Sequence, residues 1–456
     1  MNEIIKGEKT IKLINFIEEI IKNTSLDGKV YLAGETVREW FRGNEDKNIE
    51  IIVKHPGGAS TLAKMLTTEC HSYVSGENPV HLSYNDFIDF NLKNNKDFAD
   101  FNFMAYDSMR ITHVLSNLLK DDAEKRNVTV NALYYNITTD TFEDPTGNGI
   151  NDIKNKIIRC VKPCQFFVEN PANVIKLIRL SCDFGFGIEK NTWMSMLTYS
   201  NNILKATQTQ ITLELLKLLM TEKPSVGLRK MAVCNHLLND VLPIIHDEMY
   251  AMEDRNTTLF DHTMDVVDKV EPSIRNRLAA LFHDIGKVNN GVQSHASEGA
   301  KTAKGILTAM SVPNSIINSV CIAITVHEVF STYSDKEIPR KSLLRSFSSF
   351  IGNDLYLAMD LIDANNNSKQ FGAKPNQAKN ILAKIESLRN KEKKEKENNP
   401  KLPINGNDII ESFSIKTGPM VGRILSNLKK KYAKNPTMTK EDCLDYVNDL
   451  IKAKTK

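Results

Sequence analysis

The chain has 456 residues, more than one ordinary hydrophobic core accommodates, so two to four domains are predicted. Its hydrophobic fraction of 41% and charged fraction of 25% are typical of globular proteins and exclude a disordered chain. The formal net charge of +3 is close to neutral, so contact with a nucleic acid would have to rest on a local basic surface.

The seven cysteines are scattered and odd in number, which argues against a disulfide framework and favours a reducing compartment. Cys160 and Cys164 could form half of a metal site, but no second Cys/His pair stands near them. No apolar run reaches the length of a membrane span, and acidic residues such as Glu18 and Glu19 interrupt the N-terminal region in a way that fits no signal or transit peptide. We therefore expect a cytoplasmic protein.

The first third of the chain predicts a mixed α/β domain. Isoleucines recur at helical spacing through Ile11–Ile21, which indicates an amphipathic helix. An apolar run at Val30–Ala33 is followed by a glycine, a helical stretch and a β-rich run at Ile49–Val53. Further short strands are predicted near Val80–Leu82 and Phe87–Phe90.

Beyond about Glu169 the pattern changes to successive helices. Two segments interrupt it: the polar stretch Asn365–Asn376, and the charged run Lys391–Asn399, which we interpret as a solvated helix end or linker. The predicted fold class is α+β, with a small mixed β-sheet head followed by a long all-α body.

Five ordered motifs span nearly the whole chain. They are Leu32-Ala-Gly34-Glu35-Thr-Val-Arg38-Glu39 followed by Lys47-Asn48-Ile-Glu50-Ile; Lys125-Arg126-Asn127-Val-Thr129-Val-Asn131-Ala132; Asp144-Pro145-Thr-Gly147 through Asp152-Ile153; Glu169-Asn170-Pro171-Ala-Asn173 with Arg179 and Phe184-Gly185-Phe186; and Gly406-Asn-Asp-Ile with Gly418-Pro419-x-Val-Gly422-Arg423. Together they resemble the class II tRNA nucleotidyltransferase and poly(A) polymerase family, with a nucleotidyltransferase-like head.

The resemblance implies roles for individual residues. In that family a glycine-rich turn with an arginine cradles the triphosphate, which corresponds to Gly34 and Arg38. An Asp-x-Asp pair binds two magnesium ions, which corresponds to Asn48 and Glu50, and Asp89 is the candidate third carboxylate. The other nucleotide-binding positions implied are Arg126, Asn127, Asn131, Asn170, Asn173 and Arg179.

The chain departs from the family where the chemistry would take place. Asn48 offers a neutral amide, a poorer metal ligand than aspartate, and Glu50 is one methylene longer. Glu35 replaces the second glycine and brings a negative side chain where backbone would approach phosphate. The remaining changes, at positions that contact the ribose or read the base in the family, are Asn127, Asn170 and Asn173. Six changes in one site predict a degenerate nucleotidyl-transfer centre.

A second set of chemical residues lies in the helical body. An apolar helical stretch ends in His283-Asp284, with Gly286 and Lys287 immediately after. An imidazole and a carboxylate at a helix end can share a divalent cation if other helices supply further ligands. Lys287, one turn from His283, could neutralise a phosphate oxygen. The other candidates, in or beside apolar helical segments, are His262, His295, His327 and Asp363.

This pattern resembles the HD phosphohydrolase superfamily. The resemblance implies that the metal ligands are His262, His283, Asp284 and Asp363. It also implies that His295 and His327 hold a second metal or contact phosphate. Such a mixed set suits Mg, Mn, Ni, Fe or Zn, and a bound metal would activate water for phosphoester hydrolysis. The alternative is that these are ordinary core or surface histidines.

The predicted domains are a head at 1–160, a helical neck at 161–245, an HD domain at 246–370 and a tail at 371–456 that would bind tRNA. Basic residues cluster in that tail at Lys416, Arg423 and Lys429–Lys431, although a solvated basic helix would look the same.

Because the HD ligand set is intact and the head site is altered, the sequence favours a metal-dependent phosphohydrolase as the live activity of a protein that acts at tRNA 3′ ends. One alternative is an active CCA-adding or poly(A)-type nucleotidyltransferase that uses ATP or CTP. A second alternative is a non-catalytic tRNA-binding protein.

Overall fold

The computed structural model describes residues 4, 6–44, 48–69, 80–82, 108–113, 118–242, 244–245, 249, 253–254, 257–290, 295–368, 374–398 and 402–452. Two compact units are present: unit 1 comprises 1–325 and 368–370, and unit 2 comprises 326–367 and 371–456. The finer division into four domains stays a prediction.

Unit 1 contains a six-stranded sheet with the order β3-β4-β2-β1-β5-β6. Its strands are β1 Val30–Ala33, β2 Asn48–Val53, β3 Val80–Leu82, β4 Ser108–His113, β5 Tyr134–Asn136 and β6 Thr141–Glu143. The β2–β4 pair is parallel and the other pairs are antiparallel. Three of the predicted strands are thus confirmed, whereas Phe87–Phe90 lies outside the described residues.

Five helices belong to this head region. They are α1 Glu8–Ile21, α2 Glu35–Arg42, α3 Gly58–Glu69, α4 Leu119–Ala123 and α5 Gly149–Lys154. The predicted opening helix is confirmed: Leu13, Ile17 and Ile21 recur every four residues and are fully buried, because α1 packs on α3. Ile11 faces the other way and is exposed.

The helices that follow form the neck and body. They are α6 Pro163–Glu169, α7 Asn173–Phe184, α8 Lys190–Tyr199, α9 Gln208–Leu219, α10 Pro224–Val233, α11 Leu237–Val241, α12 Leu259–Lys269, α13 Ile274–Phe282, α14 Lys287–Asn290, α15 His295–Ala309 and α16 Asn314–Val326. Two short ribbons accompany them, β7 Ile157–Ile158 paired with β8 Gly187–Ile188, and β9 Glu253–Asp254 paired with β10 Thr257–Thr258. The predicted α+β class is confirmed.

Side-chain hydrogen bonds cap the N-termini of α12 and α13, the helices that contain His262 and precede His283. The Thr258 hydroxyl accepts a hydrogen bond from Asp261 N at 3.0 Å at the start of α12, and the Ser273 hydroxyl accepts one from Asn276 N at 3.2 Å at the start of α13. The two helices pack against each other and are almost entirely buried on their shared face.

Unit 2 is helical. Its helices are α17 Lys341–Ile351, α18 Leu355–Asn366, α19 Gln377–Asn398, α20 Gly406–Phe413, α21 Pro419–Lys434 and α22 Lys440–Lys452. The last three share a core of Ile404, Ile409, Ile424, Leu428, Cys443 and Val447. The charged run from Lys391 extends α19 to Asn398, which confirms a helix end. Among the described helices, none combines the length and apolarity needed to cross a membrane.

Candidate nucleotide site and metal centre

The turn between β1 and α2 places Gly34 directly against the side chain of Glu50. Gly34 has a φ of +63°, a conformation that residues with a Cβ rarely adopt. A methyl group at this position would overlap Glu50 Oε2 and lie 2.7 Å from Arg126 Nη1. The position therefore requires glycine for two separate reasons, backbone conformation and space.

An ion pair holds Glu50 beside this turn. Its Oε2 accepts a hydrogen bond from Arg126 Nη1 at 2.8 Å, and Arg126 Nε donates to Asp122 Oδ2 at 2.7 Å. Burial lowers the pKa of Arg126, but the charges of Glu50 and Asp122 outweigh it and raise that pKa above its ordinary value. The guanidinium is permanently charged and partly neutralises both carboxylates.

Asn48 and Glu50 lie two residues apart on β2, so their side chains emerge on the same face of the sheet. Asn48 Nδ2 donates to Glu35 Oε2 at 3.3 Å, which brings a second carboxylate to this edge. One amide and two carboxylates are oxygen donors of the kind that Mg²⁺ prefers, although Arg126 already bonds one of them. The predicted third carboxylate, Asp89, lies outside the described residues, and the metal role of this set stays a prediction.

Arg38 connects three parts of the head and neck. It is 7% exposed; its Nε donates to Glu39 Oε1 at 2.7 Å and its Nη1 donates to Asn131 Oδ1 at 2.5 Å. Its guanidinium also stacks over Phe184 at the end of α7, with Cζ 4.3 Å from the ring centroid. The predicted pair Arg38 and Asn131 is thus brought together, and its hydrogen bonds fix both side chains.

Two adjoining cavities collect the predicted nucleotide-binding residues. Cavity A has a volume of about 650 Å³ and is lined by Arg126, Asn127, Asn170 and Asn173, among others. Cavity B has a volume of about 660 Å³, and the predicted residues that line it are Arg38, Asn127, Asn131 and Arg179. Asn127 borders both cavities. With Gly34 at the neighbouring turn, the structure gathers this whole predicted set in one region of unit 1.

The amides of Asn170 and Asn173 are engaged with the local backbone. Asn170 Oδ1 accepts a hydrogen bond from Ala172 N at 3.1 Å, and the buried Asn173 Nδ2 donates to Phe166 O at 2.7 Å. Both bonds hold the entry into α7. Each amide keeps hydrogen-bonding capacity, but these bonds fix its orientation.

Lys176 is among the cavity residues that sequence reasoning missed. It lies on α7 between Asn173 and Arg179 at a spacing of three, and it lines cavity B with Arg179. Burial lowers the pKa of Lys176, and the nearby charges of Arg179 and Lys217 lower it further against the opposing effect of Glu214. The sequence did contain a signal for Lys176. Its spacing of three residues from both Asn173 and Arg179 places the three side chains near one face of α7.

The second candidate site lies between α12 and the turn after α13. His262 Nε2 is 3.0 Å from His283 Nε2 and 3.4 Å from Asp284 Oδ2, and His283 Nε2 is 3.2 Å from the same oxygen. None of the three residues is more than 2% exposed. Neighbouring ligand atoms bound at about 2.0–2.1 Å to a tetrahedral or octahedral ion lie roughly 2.8–3.4 Å apart. These atoms are therefore spaced as ligands of one divalent cation would be.

A backbone contact orients the His283 ring for that role. Its Nδ1–H donates to Ala280 O at 2.8 Å, so Nε2 is the ring atom that faces the cluster, as for many metal-binding histidines. His295 Nε2 lies 3.4 Å from Asp284 Oδ1. Lys287 Nζ donates to Asp284 Oδ2 at 2.8 Å, and its contact with phosphate stays a prediction.

The charge state of Asp284 follows from the same contacts. Complete burial opposes ionisation, but the charge of His283 and hydrogen bonds from His262, His283 and His295 hold the pKa of Asp284 well below its usual range. The carboxylate is ionised, as a metal ligand must be.

Close packing at Gly286 brings His295 to this cluster. A methyl group at Gly286 would overlap His295 O and lie 2.6 Å from Gly299 N. Because Gly286 has no side chain, the N-terminal turn of α15 can approach the turn after His283-Asp284 closely. This close approach allows His295 to reach Asp284.

The two remaining predicted ligands, His327 and Asp363, belong to unit 2. His327 is buried, and Asp363 is partly buried and accepts a hydrogen bond from Asn367 Nδ2 at 3.0 Å. Burial and the neighbouring Asp360 raise the pKa of Asp363. Their assignment as metal ligands stays a prediction.

Two family profiles match the chain in order. The poly A polymerase head domain matches residues 30–159, which include β1, Gly34, Glu50 and Arg126. The probable RNA and SrmB-binding site of polymerase A matches residues 185–249. The resemblance to the class II tRNA nucleotidyltransferase/poly(A) polymerase family, which the ordered motifs indicated, is confirmed by these matches.

Curated members of the family share parts of the sequence. A mitochondrial CCA tRNA nucleotidyltransferase of Candida glabrata is 33% identical over 161 residues, 34% of this chain and 30% of the relative. A multifunctional CCA protein of Stenotrophomonas maltophilia is 27% identical over 226 residues, 44% of this chain and 54% of the relative. The chain thus matches about a third to a half of these relatives' lengths. Because one relative is mitochondrial, the cytoplasmic compartment stays a prediction.

Solved structures of the family share the fold over almost the entire chain. The CCA-adding enzyme of Bacillus stearothermophilus in complex with CTP gives a TM-score of 0.60 at 17% identity and covers 99% of both chains. The Thermotoga maritima CCA-adding enzyme complexed with tRNA gives 0.56 at 17% identity, covering 98% of this chain and 96% of that one. The relatives favour nucleotide transfer, the alternative that the sequence analysis placed second, over a phosphohydrolase as the main activity.

Proposed function

We propose that this family member transfers nucleotides from ATP or CTP to the 3′ end of a tRNA or tRNA-like RNA. The observation that carries the proposal is the pair of adjoining cavities that share Asn127. Both volumes lie within the roughly 300–1,000 Å³ typical of small-molecule sites. The relatives named for CCA addition, and the similar folds solved with CTP and with tRNA, support the same substrates.

Basic and acidic residues both line the cavities, and the basic ones suit a triphosphate. The carboxylates among the described lining residues are those of Asp121, Glu124 and Glu169 in cavity A and of Glu35, Glu39 and Asp183 in cavity B. Arg38, Lys176 and Arg179 line cavity B, and Arg126 lines cavity A beside Glu50. Guanidinium groups bind phosphate oxygens in pairs, so these residues would orient the nucleotide. A divalent cation at Asn48 and Glu50 would supply charge neutralisation of the triphosphate and acidify the attacking hydroxyl. Arg126 would then exchange its bond to Glu50 for one to phosphate.

The test is incorporation of labelled ATP and CTP into a tRNA that lacks its CCA end, with Mg²⁺ or Mn²⁺. Glu50→Gln is expected to lower incorporation by roughly a hundredfold or more, since it removes a preorganised charge at the reacting phosphate. Glu18→Gln, on the exposed face of α1, is the matched control and should behave as wild type. Absence of incorporation by the folded wild-type chain with either metal would refute the proposal.

A second function is favoured by the spacing of His262, His283 and Asp284. Three buried donors 3.0–3.4 Å apart suit a divalent cation such as Mg, Mn or Ni, which when bound would supply an activated water for phosphoester hydrolysis. We propose metal-dependent phosphohydrolase activity at this HD centre as an additional activity. Lys287, bonded to Asp284, would hold that carboxylate in place.

Metal content and hydrolysis of bis(p-nitrophenyl) phosphate test this second proposal. The wild-type chain is expected to retain one or more divalent ions per molecule, and Asp284→Ala to lose both metal and hydrolysis. Asp261→Ala is the control, because it also removes an aspartate from the α12–α13 region but at the partly exposed start of α12. It should retain both metal and hydrolysis. A metal-free wild-type protein that no added ion activates would exclude the phosphohydrolase.

A further inference from the structure

A third cavity lies beside cavity B. Cavity C has a volume of about 610 Å³, and Arg42, Asn44 and Phe184 line both cavities. Nothing in the nucleotide-transfer proposal uses cavity C. Its wall combines aromatic rings, from Phe41, Phe184 and Phe186 in particular, with basic side chains.

The charge of cavity C is one-sided. Its basic residues are Arg42, Lys154 and Lys156, and none of the described residues that line it carries a carboxylate. Arg42 is compensated by Glu39, with Nη1 at 2.9 Å from Oε1. Lys154 and Lys156 are exposed, and neither forms an ion pair with another residue that the structure describes. The two lysine ammonium groups would therefore attract a negatively charged ligand to cavity C.

The aromatic part is arranged as a partly open platform. The rings of Phe184 and Phe186 lie 5.9 Å apart at an interplanar angle of 67°, and Arg42 stacks over Phe184 with Cζ 4.9 Å from its centroid. Phe184 and Phe41 are only partly buried, so part of their ring surface is accessible beside the guanidinium groups of Arg38 and Arg42 that cover Phe184. Aromatic rings beside lysines are the combination that binds a nucleobase and its phosphate.

The backbone fixes Lys156 at an unusual conformation for its type. Its φ is +55°, which glycine and asparagine adopt more readily. Its N–H donates to Ile153 O at 3.1 Å, and its carbonyl accepts from Gly187 N at 2.8 Å. This turn places the Lys156 side chain at the edge of cavity C.

We propose that cavity C binds one nucleotide, with the base against the phenylalanine rings and the phosphate between Lys154 and Lys156. The nucleotide is either an unpaired residue of an RNA or a free mononucleotide, since both present a planar base and a phosphate. This binding is separate from nucleotide transfer and does not depend on it.

Photo-crosslinking on the full-length chain can separate cavity C from cavities A and B. The probes are 8-azido-AMP and an oligoadenylate of six nucleotides that carries one 8-azidoadenosine, with the modified residues located by mass spectrometry. Crosslinks are expected at Phe41, Phe184 or Phe186. In Lys154→Gln/Lys156→Gln the concentration for half-maximal labelling there should rise about tenfold, because two exposed phosphate contacts are lost.

The matched control is Lys22→Gln/Lys205→Gln, which removes two exposed lysines of the same unit that lie outside the cavity lining and should leave labelling unchanged. Lys156→Asn, which tolerates the left-handed backbone, should weaken labelling without lowering the melting temperature. Labelling by both probes would support a site for free and RNA-borne nucleotides, and labelling by the oligonucleotide alone would support an RNA site. No labelling of these rings, or equal loss in both double variants, would overturn the proposal.

Discussion

At the residue scale, the contact between Gly34 and Glu50 is the tightest constraint on the head site. We expect Gly34→Ala to destabilise the chain by about 2 kcal/mol or more, since it adds a Cβ at positive φ and forces the Glu50–Arg126 pair apart. The measurement is urea unfolding together with nucleotide incorporation, which should fall in parallel with displacement of Glu50.

Gly28→Ala is the matched control for this change. Gly28 has a φ of +70°, and a methyl group there would meet nothing within 4 Å. Gly28→Ala therefore has only the cost of placing alanine at positive φ. The difference in destabilisation between Gly34→Ala and Gly28→Ala measures the steric overlap at Gly34. Equal destabilisation by Gly34→Ala and Gly28→Ala would contradict the close approach to Glu50.

Glu39 gives the head a predictable pH dependence. Its burial raises its pKa, but Arg38, the hydrogen bond from Asn44, and Arg42 outweigh burial and lower it. Since the folded pKa is depressed, the contribution to stability is present above the unfolded value of about 4.3 and is lost as pH falls through the folded pKa.

Glu39→Gln should therefore cost about 3 kcal/mol at pH 7, because it leaves Arg38 buried beside a neutral amide. Urea unfolding between pH 7 and pH 3 should show the difference from wild type shrinking as pH falls below about 4.5. A difference that stays constant over this range would mean that folding does not lower the pKa of Glu39.

At the element scale, the sequence predicted β1, β2, β3 and the start of the helical region, because period-2 and helical patterns are local, and it missed β4, β5 and β6. It also placed Gly34, Arg38, Arg126, Asn127, Asn131, Asn170, Asn173 and Arg179 in one site through ordered motifs. It did not reveal the ion pair of Glu50 with Arg126, since 76 positions separate these residues and no local pattern specifies their contact. The sequence likewise did not reveal the hydrogen bond from Lys287 to Asp284, because a side chain on a helix can turn either to solvent or inward.

The close packing of α15 against the turn at Gly286 can be tested by substitution. Gly286→Ala is expected to shift α15 away, to destabilise the chain by about 2 kcal/mol or more, and to lower the metal content of the HD centre by separating His295 from Asp284. Gly305→Ala, on α15 in open space, should instead stabilise that helix by up to about 1 kcal/mol. Full metal content in Gly286→Ala would show that α15 is not required at the centre.

At the scale of the whole molecule, the two candidate sites draw on different elements. Glu50 is bonded to Arg126 between β2 and the end of α4, whereas Asp284 is bonded to Lys287 beside α12, α13 and α15. No residue described at one site belongs to the other. The sequence motifs predicted both candidate sites. They could not show whether the two sites share ligands, because shared ligands depend on how distant segments of the chain fold together.

The separation of the sites predicts that the two activities can be removed independently. Glu50→Gln should abolish nucleotide incorporation and leave phosphodiester hydrolysis within about twofold of wild type, and Asp284→Ala should do the reverse, because changes without shared partners act additively. The double variant should lose both activities and serve as the baseline for contaminating enzymes. Circular dichroism melting of each variant checks that the fold is retained. If Asp284→Ala in a folded chain also abolished incorporation, transfer would require the HD centre, and the head could not be the complete nucleotidyl-transfer site.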